Sequence, residues 1–511
     1  MQIRNLTITM KKDLRELIRD FTFSLKKGDK AAIIGEEGNG KSTLLKAIYD
    51  ETLVKDYVEI GGEIQRDGLI LGYLSQELPT ADKSKTVYEF CCDEDAFLES
   101  TASEIARAAA KVQLSTELVY EDREIRTISG GEKVKLRMML LLLKNPDVLL
   151  LDEPSNDIDI QTLEWLESFI ISSEAAVMFV SHDETLVENT ANVILHIEQL
   201  RKKTVSRYTV AKMGYRQYIE EWLNKFAHQE QIAKKEREDY KKQQERFRQI
   251  YQRVDHEQNS ISRQDAHGGR LLKKKMKAVK SLEKRLDREH SEMTEIPDSE
   301  DAIMIKFSER VQVPAGKTVL EFSLPKLSIN GEKLAENINL TMRGAEHICI
   351  TGRNGIGKTT LLKQIAGELL GKSDIKAAYM PQDYEESMGE EVNPVDFLTD
   401  GSGDKAEITR AKTFLGSMKY TADECEHRIA ELSGGQKAKL FFLKMIIDEN
   451  NVLILDEPTR NFSPLSNPVI REVLRAFGGA IISVSHDRKY ISEVCEKVYK
   501  LKENGLSLKT E

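Results

Sequence analysis

The chain has 511 residues, 75 Lys+Arg against 85 Asp+Glu, a formal net charge of −10 and 40% apolar residues, a length that implies about two to four domains, each able to bury a core. No run approaches the roughly 18 apolar residues of a membrane span, and Met1-Gln2-Ile3-Arg4 lacks the basic, apolar and cleavage-site order of a secretion signal, so a cytoplasmic protein with no membrane partner is expected. Cys91, Cys92, Cys349, Cys425 and Cys495 hold no CxxC pair and are odd in number, which fits reduced thiols better than disulfides or a zinc site.

Taken in chain order, the first apolar run, Ala31-Ala-Ile-Ile34, reads as a strand and feeds Gly35-Glu-Glu-Gly38-Asn-Gly40-Lys41-Ser42-Thr43. This is a GxxxxGK[ST] loop, whose successive amides wrap phosphate while the lysine neutralises it and the hydroxyl offers a magnesium ligand. Ser129-Gly130-Gly131-Glu132 follows, a small hydroxyl and two glycines at a helix start, where free amides accept an anion. Val148-Leu-Leu-Leu-Asp152-Glu153 ends an apolar strand in two acids, one for the magnesium shell and one to orient or deprotonate water. After another strand-like run, Val180-Ser-His182 places a histidine at a strand end.

The chain then repeats this order. Gly352-Arg-Asn354-Gly355-Ile-Gly357-Lys358-Thr359-Thr360 follows the run His347-Ile-Cys-Ile350, and Ser433-Gly434-Gly435-Gln436, Val452-Leu-Ile-Leu-Asp456-Glu457 and Val484-Ser-His486 complete the set. The serine lies 23 residues before the aspartate in both copies, and the glutamate 29 before the histidine. Copy one carries 13 additional residues after its lysine, 11 of them before Gln76, in a strand-rich stretch around Tyr57 to Tyr73.

Between the copies the apolar beat becomes seven residues long at Phe226, Ala233, Tyr240, Phe247 and Val254, with Leu223 and Ile250 between. This predicts one helix over residues 216–258, roughly 60 Å long at 1.5 Å per residue. Asn259 to Arg270, with adjacent Gly268 and Gly269, breaks the beat, and Leu272, Val279, Leu282 and Leu286 resume it. A helical hairpin with a polar tip is expected. Residues 212–290 hold 21 Lys+Arg and 13 Asp+Glu, so this segment is basic on an acidic chain, an electrostatic footprint for RNA phosphate.

Together these residues resemble the nucleotide-binding domains of ATP-binding cassette proteins. The resemblance implies an α/β fold class with two tandem P-loop ABC-type nucleotide-binding domains, at 1–210 and 301–511, joined by a long α-helical hairpin linker at 211–300 with its tip at 259–270. It adds Gln76 and Gln382 as magnesium ligands beside Ser42, Thr359, Asp152 and Asp456. It implies a head-to-tail sandwich of two ATP molecules with Mg²⁺, in which Glu153, Glu457, His182 and His486 are catalytic and Ser129 to Glu132 and Ser433 to Gln436 close the opposite sites. Two cassettes, no membrane domain and a basic hairpin look like the ABC-F group of translation factors and ribosome-protection proteins. That likeness implies a monomeric ATP hydrolase that enters the ribosomal E site and contacts P-site tRNA and large-subunit rRNA. The tip resembles the antibiotic-resistance branch active against lincosamides, pleuromutilins and streptogramin A. The expected RNA contacts are Ser262, Arg263, Gln264, Asp265, His267 and Arg270, with Lys273, Lys274, Lys275 and Lys277 beside them. The alternatives are a housekeeping ABC-F factor and the ATPase subunit of an exporter.

Departures from the family pattern stand out. Glu37 replaces the asparagine that Asn354 keeps. Thr459-Arg-Asn-Phe-Ser-Pro-Leu-Ser466 lacks the acid that closes Ser155-Asn-Asp-Ile-Asp159. These changes at Glu37 and in the two loops lead to the expectation that the two sites turn over unequally. Separately, no clear aromatic residue for stacking adenine is found ahead of either phosphate loop.

Overall fold

The computed structural model describes all residues except 67, 201–203, 261–265, 292–306, 330, 385–386, 390, 419 and 510–511. The chain forms two compact units, one of Met1–Tyr215 with Glu300–Glu511 and one of Arg216–Ser299.

The first unit holds both copies. In copy one a six-stranded sheet runs Leu71–Leu74, Val148–Asp152, Ala176–Val180, Lys30–Ile34, Val193–Leu200, Val205–Ala211. All neighbours are parallel except the last pair. Copy two repeats the order with Ala377–Met380, Val452–Asp456, Ala480–Val484, His347–Thr351, Lys497–Lys502 and Gly505–Leu508. Val148–Asp152, Ala176–Val180, His347–Thr351 and Val452–Asp456 are buried at every position, which explains their unbroken apolar runs: a parallel strand covered on both faces has no polar side. The same burial makes the terminal Asp152 and Asp456 exceptional, since a buried acid needs a compensating partner.

A small antiparallel sheet packs beside each central one. In copy one it has three strands, Glu16–Ser24, Gln2–Met10 and Val58–Gln65, and in copy two it has two, Thr318–Ile329 and Glu332–Arg343. The additional residues of copy one thus build the third strand, Val58–Gln65, whose Ile64 and Ile60 pair with Ile3 and Ile8. Both phosphate loops lie between a central strand and a helix, Lys41–Tyr49 or Lys358–Leu370. All five cysteines are free thiols.

The second unit is helical. One helix covers Tyr215–Ser260 and another Ala266–Ser291; 46 residues correspond to about 69 Å at 1.5 Å per residue. Ala233, Val254 and Val279 are buried, and Phe226, Tyr240, Phe247 and Leu282 are half-buried, so the seven-residue beat marks the inner face. Leu223 and Ile250 are 52% and 44% exposed and do not belong to that face. Gly268 and Gly269 do not interrupt the second helix but sit in its first turn, where helical amides have no intrahelical partner and a glycine disrupts least. Lys275 bridges to Glu257 of the other helix at 3.0 Å. Arg270, Lys273, Lys274, Lys275 and Lys277 are exposed. Ser262, Arg263, Gln264 and Asp265 lie outside the described residues, and His267 is described by its backbone alone.

Candidate functional site

The repeated motifs converge at two places between the copies. Each phosphate loop closes on a glycine in the left-handed region, Gly40 at φ 89° and Gly357 at φ 97°, which only glycine adopts without strain. Gly35 approaches the backbone so closely that a Cβ would lie 2.2 Å from the Ile197 carbonyl oxygen. Lys41 Nζ donates to the Gly35 and Glu36 carbonyls at 2.8 and 2.9 Å, and Lys358 Nζ to those of Gly352 and Arg353 at 3.0 and 3.1 Å. Each loop therefore curls around its own ammonium group, and burial pulls the Lys358 amine down from its ordinary range.

The acids stand next to these lysines. Ser42 Oγ donates to Asp152 Oδ1 at 2.8 Å, and Tyr73 donates to Oδ2 at 3.2 Å. Asp456 is buried with the Thr359 hydroxyl beside it and no well-formed hydrogen bond to either carboxylate oxygen. Burial raises both aspartates above the usual carboxylate range. Glu153 and Glu457 hold φ of 49° and 51°, uncommon for a side chain with a Cβ, and this aims each carboxylate back at the following strand end. The His182 and His486 amides donate to Glu153 and Glu457 at 3.1 and 3.2 Å.

Desolvation pushes both glutamates up to about 7 and both histidines down to about 4. The rings are therefore neutral at pH 7. His182 Nδ1 meets the Phe462 carbonyl of copy two at 2.8 Å, and a carbonyl only accepts, so the proton is on Nδ1. Nε2 is then the acceptor facing Glu153 Oε1 at 3.1 Å, an arrangement that favours a protonated Glu153. At copy two, His486 Nε2 lies 3.7 Å from Glu457 Oε1 and Nδ1 has no hydrogen-bond partner.

Ser129 and Ser433 cap the helices Gly130–Leu143 and Gly434–Ile447, each in a capping box with Glu132 or Gln436. Those two side chains serve their own helix starts. A cavity of about 550 Å³ joins the helix of copy one to the phosphate loop of copy two; its lining includes Gly130, Lys133, Asn354, Lys358, Glu457 and His486. Gln382 and Thr360 also line it, whereas Gln76 is exposed. Asn354 reaches across, its Nδ2 donating to the Asp157 carbonyl at 2.7 Å, and Arg460 pairs with Asp157 at 2.9 Å.

The facing arrangement, between the loop of copy one and the helix of copy two, differs. Glu37 accepts a hydrogen bond from the Gly435 amide, and Glu36 accepts from Ser466 at 2.7 Å and pairs with Lys439 at 3.2 Å. Further ion pairs cross between the copies: Arg471 to Glu184 at 2.8 Å, Lys489 to Glu184 at 2.8 Å, and Arg488 to Glu167.

Tyr73, Lys133, Arg460 and the Phe462 carbonyl were not singled out from sequence. Tyr73 lies in the strand of four residues before Gln76 and has no spacing signature, while a backbone carbonyl carries none at all. The aliphatic Ile329 is also among the residues lining the cavity.

The ABC transporter family profile matches residues 18–156 and 335–460. The chain belongs to this family, and it is an ATP hydrolase. Its two-cassette layout and its relatives make it a tandem ATPase of the ABC-F kind. It is 26% identical over 542 residues to ABC transporter F family member 2 of Arabidopsis thaliana, spanning 96% of this chain and 75% of that one. It is 28% identical over 534 residues to the uncharacterized ABC transporter ATP-binding protein YkpA of Bacillus subtilis, spanning 96% and 93%. Among solved structures, an archaeal ribosome recycling factor, aABCE1, in complex with the ribosomal stalk protein aP1 has the same fold, with a TM-score of 0.59, 18% identity and coverage of 97% and 87%. Domains of this family bind ATP with Mg²⁺. Among the described residues no helix is long and apolar enough to cross a membrane.

Proposed function

We propose that the chain is a ribosome-binding ATPase that docks in the E site in its ATP state and uses residues 211–300 to reshape P-site tRNA and the nearby rRNA of the peptidyl-transferase centre. Hydrolysis releases it. The observation that carries this reading is the hairpin itself: two long helices with a narrow apolar inner face and an exposed row of Lys273, Lys274, Lys275 and Lys277. A basic arm of that length suits a phosphate backbone, and an exporter subunit has no use for it. The recycling factor whose structure shares this fold is itself named for the ribosome.

At each composite site, Lys41 or Lys358 would neutralise phosphate, and Ser42 with Asp152, or Thr359 with Asp456, would hold Mg²⁺ together with Gln76 or Gln382. The Asp456 oxygens, with no well-formed hydrogen bond, fit this role, since a buried acid in that state suits a cation. Among the described residues no group of acids, histidines and cysteines could cage a metal alone, so phosphate and water would complete the shell. Magnesium there would polarise the phosphate oxygens. Glu153 and Glu457 orient the attacking water, Glu457 takes its proton, and the His182 and His486 amides hold these acids in place.

Co-sedimentation of the Glu153→Gln/Glu457→Gln chain with ribosomes tests the reading. ATP-dependent pelleting is expected, and its absence would leave the exporter-subunit reading ahead. Displacement of antibiotics is the finer form of this proposal and rests on the polar tip sequence. Its test is release of a labelled lincosamide from ribosomes by the full chain but not by a chain lacking residues 259–270; equal release by both would leave the housekeeping form.

A further inference from the structure

The two phosphate loops face the opposite signature helix with different chemistry. At the second site, Asn354 spans to the Asp157 carbonyl and accepts from Lys358 at 3.1 Å, leaving the cavity beside Gly130 open. At the first site, Glu37 has its carboxylate on the Gly435 amide, and a Cβ built on Gly435 would lie 3.1 Å from Glu37 Oε2. The carboxylate is thus packed on the glycine pair of the signature. Glu36 anchors the same loop through Ser466 and Lys439, the latter only 7% exposed. In the loop of copy two Ser463 stands where copy one has Asp159, and Glu36 contacts Ser466 three residues further on.

An amide at a helix start binds an anion, and under the site assignment above the Gly435 amide is the one that would face the terminal phosphate of a nucleotide held by Lys41. Glu37 also lies near Glu153 and His182, whose shifts, up for the acid and down for the ring, are set first by burial. We propose that the Glu37 carboxylate stands in for a terminal phosphate on the signature helix of copy two. The first site then accepts a nucleoside diphosphate as readily as a triphosphate, and the second site alone distinguishes them. Like charges repel, so a third phosphate at the first site meets a carboxylate where the second site offers an amide side chain and space.

This inference rests on the assignment of two nucleotide sites, and a titration separates the two claims. The full chain is titrated calorimetrically with Mg²⁺–ADP and with a Mg²⁺-bound non-hydrolysable ATP analogue, as Lys358→Ala to isolate the first site and as Lys41→Ala to isolate the second. The first site should bind the two ligands within about threefold of each other, and the second should prefer the triphosphate by about tenfold or more. Glu37→Asn in the Lys358→Ala chain should bring the first site to the preference of the second. Asn354→Glu in the Lys41→Ala chain should abolish the preference there, so a poorly folding Glu37 variant does not block the test. Equal preferences at the two sites, or no response to either exchange, overturns the inference while leaving the sites in place. No nucleotide bound by the parent chain overturns the assignment and the inference together.

Discussion

At the first composite site the negative charge is on the phosphate loop, in Glu36 and Glu37, and the opposing copy answers with Lys439, Ser466 and a backbone amide. At the second site the loop offers Asn354 and Arg353, and the acids, Asp157 and Asp159, belong to the opposing copy. Sheet order, capping boxes and the Asp–Glu strand ends are the same at both. A duplicated fold can therefore keep its sheet order and its Asp–Glu strand ends while an acid is moved across the interface, and under the inference above that move alters which anion the site prefers.

The largest effect that separates the sites is expected from their glutamates. Glu457→Gln should lower steady-state phosphate release by about a hundredfold or more, whereas Glu153→Gln should cost about threefold or less. Equal losses would break the comparison. Next comes the interface that holds the sites together: Arg471, 3% exposed, lies between Glu184 and Glu493. Arg471→Ala leaves a buried acid short of a partner and should cost about 3 kcal/mol in a denaturant titration.

The pH dependence sharpens the comparison further. Glu457 is raised to about 7, so acid conditions fill it with a proton and remove the base. Single-turnover hydrolysis should climb about tenfold per pH unit below 7 and level off above it, and Glu457→Gln should flatten that slope. The smallest effect belongs to the hairpin. Lys275 and Glu257 are 49% and 42% exposed, and a double-mutant cycle should find about 0.5 kcal/mol or less between them.

Much of this was legible because buried parallel strands demand unbroken apolar runs and phosphate loops demand glycine at fixed places. The runs at Val148 and Val452 and the loops ending at Lys41 and Lys358 carry those demands openly. The seven-residue beat gave the inner face of the hairpin, but Leu223 and Ile250 fall off that face, since a narrow helical seam takes only part of the apolar residues. Gly268 and Gly269 read as a break, yet a first helical turn tolerates them. The partners of Glu37 and His182 were hidden, lying 398 and 280 residues away and being backbone atoms, which leave no mark in a sequence.

The ion pairs between the copies carry one more consequence. By the constant spacing of the motifs, Glu167 corresponds to Arg471 and Glu184 to Arg488, so the pairs Arg488–Glu167 and Arg471–Glu184 are mates under the pseudo-twofold relation of the copies. Copy one supplies both acids and copy two both bases. Were two first copies from different chains to meet by the same geometry, Glu167 would oppose Glu184; two second copies would set Arg471 against Arg488. Each half is thus charge-matched to the other and mismatched with its own kind, so like-with-like pairing of these faces is disfavoured.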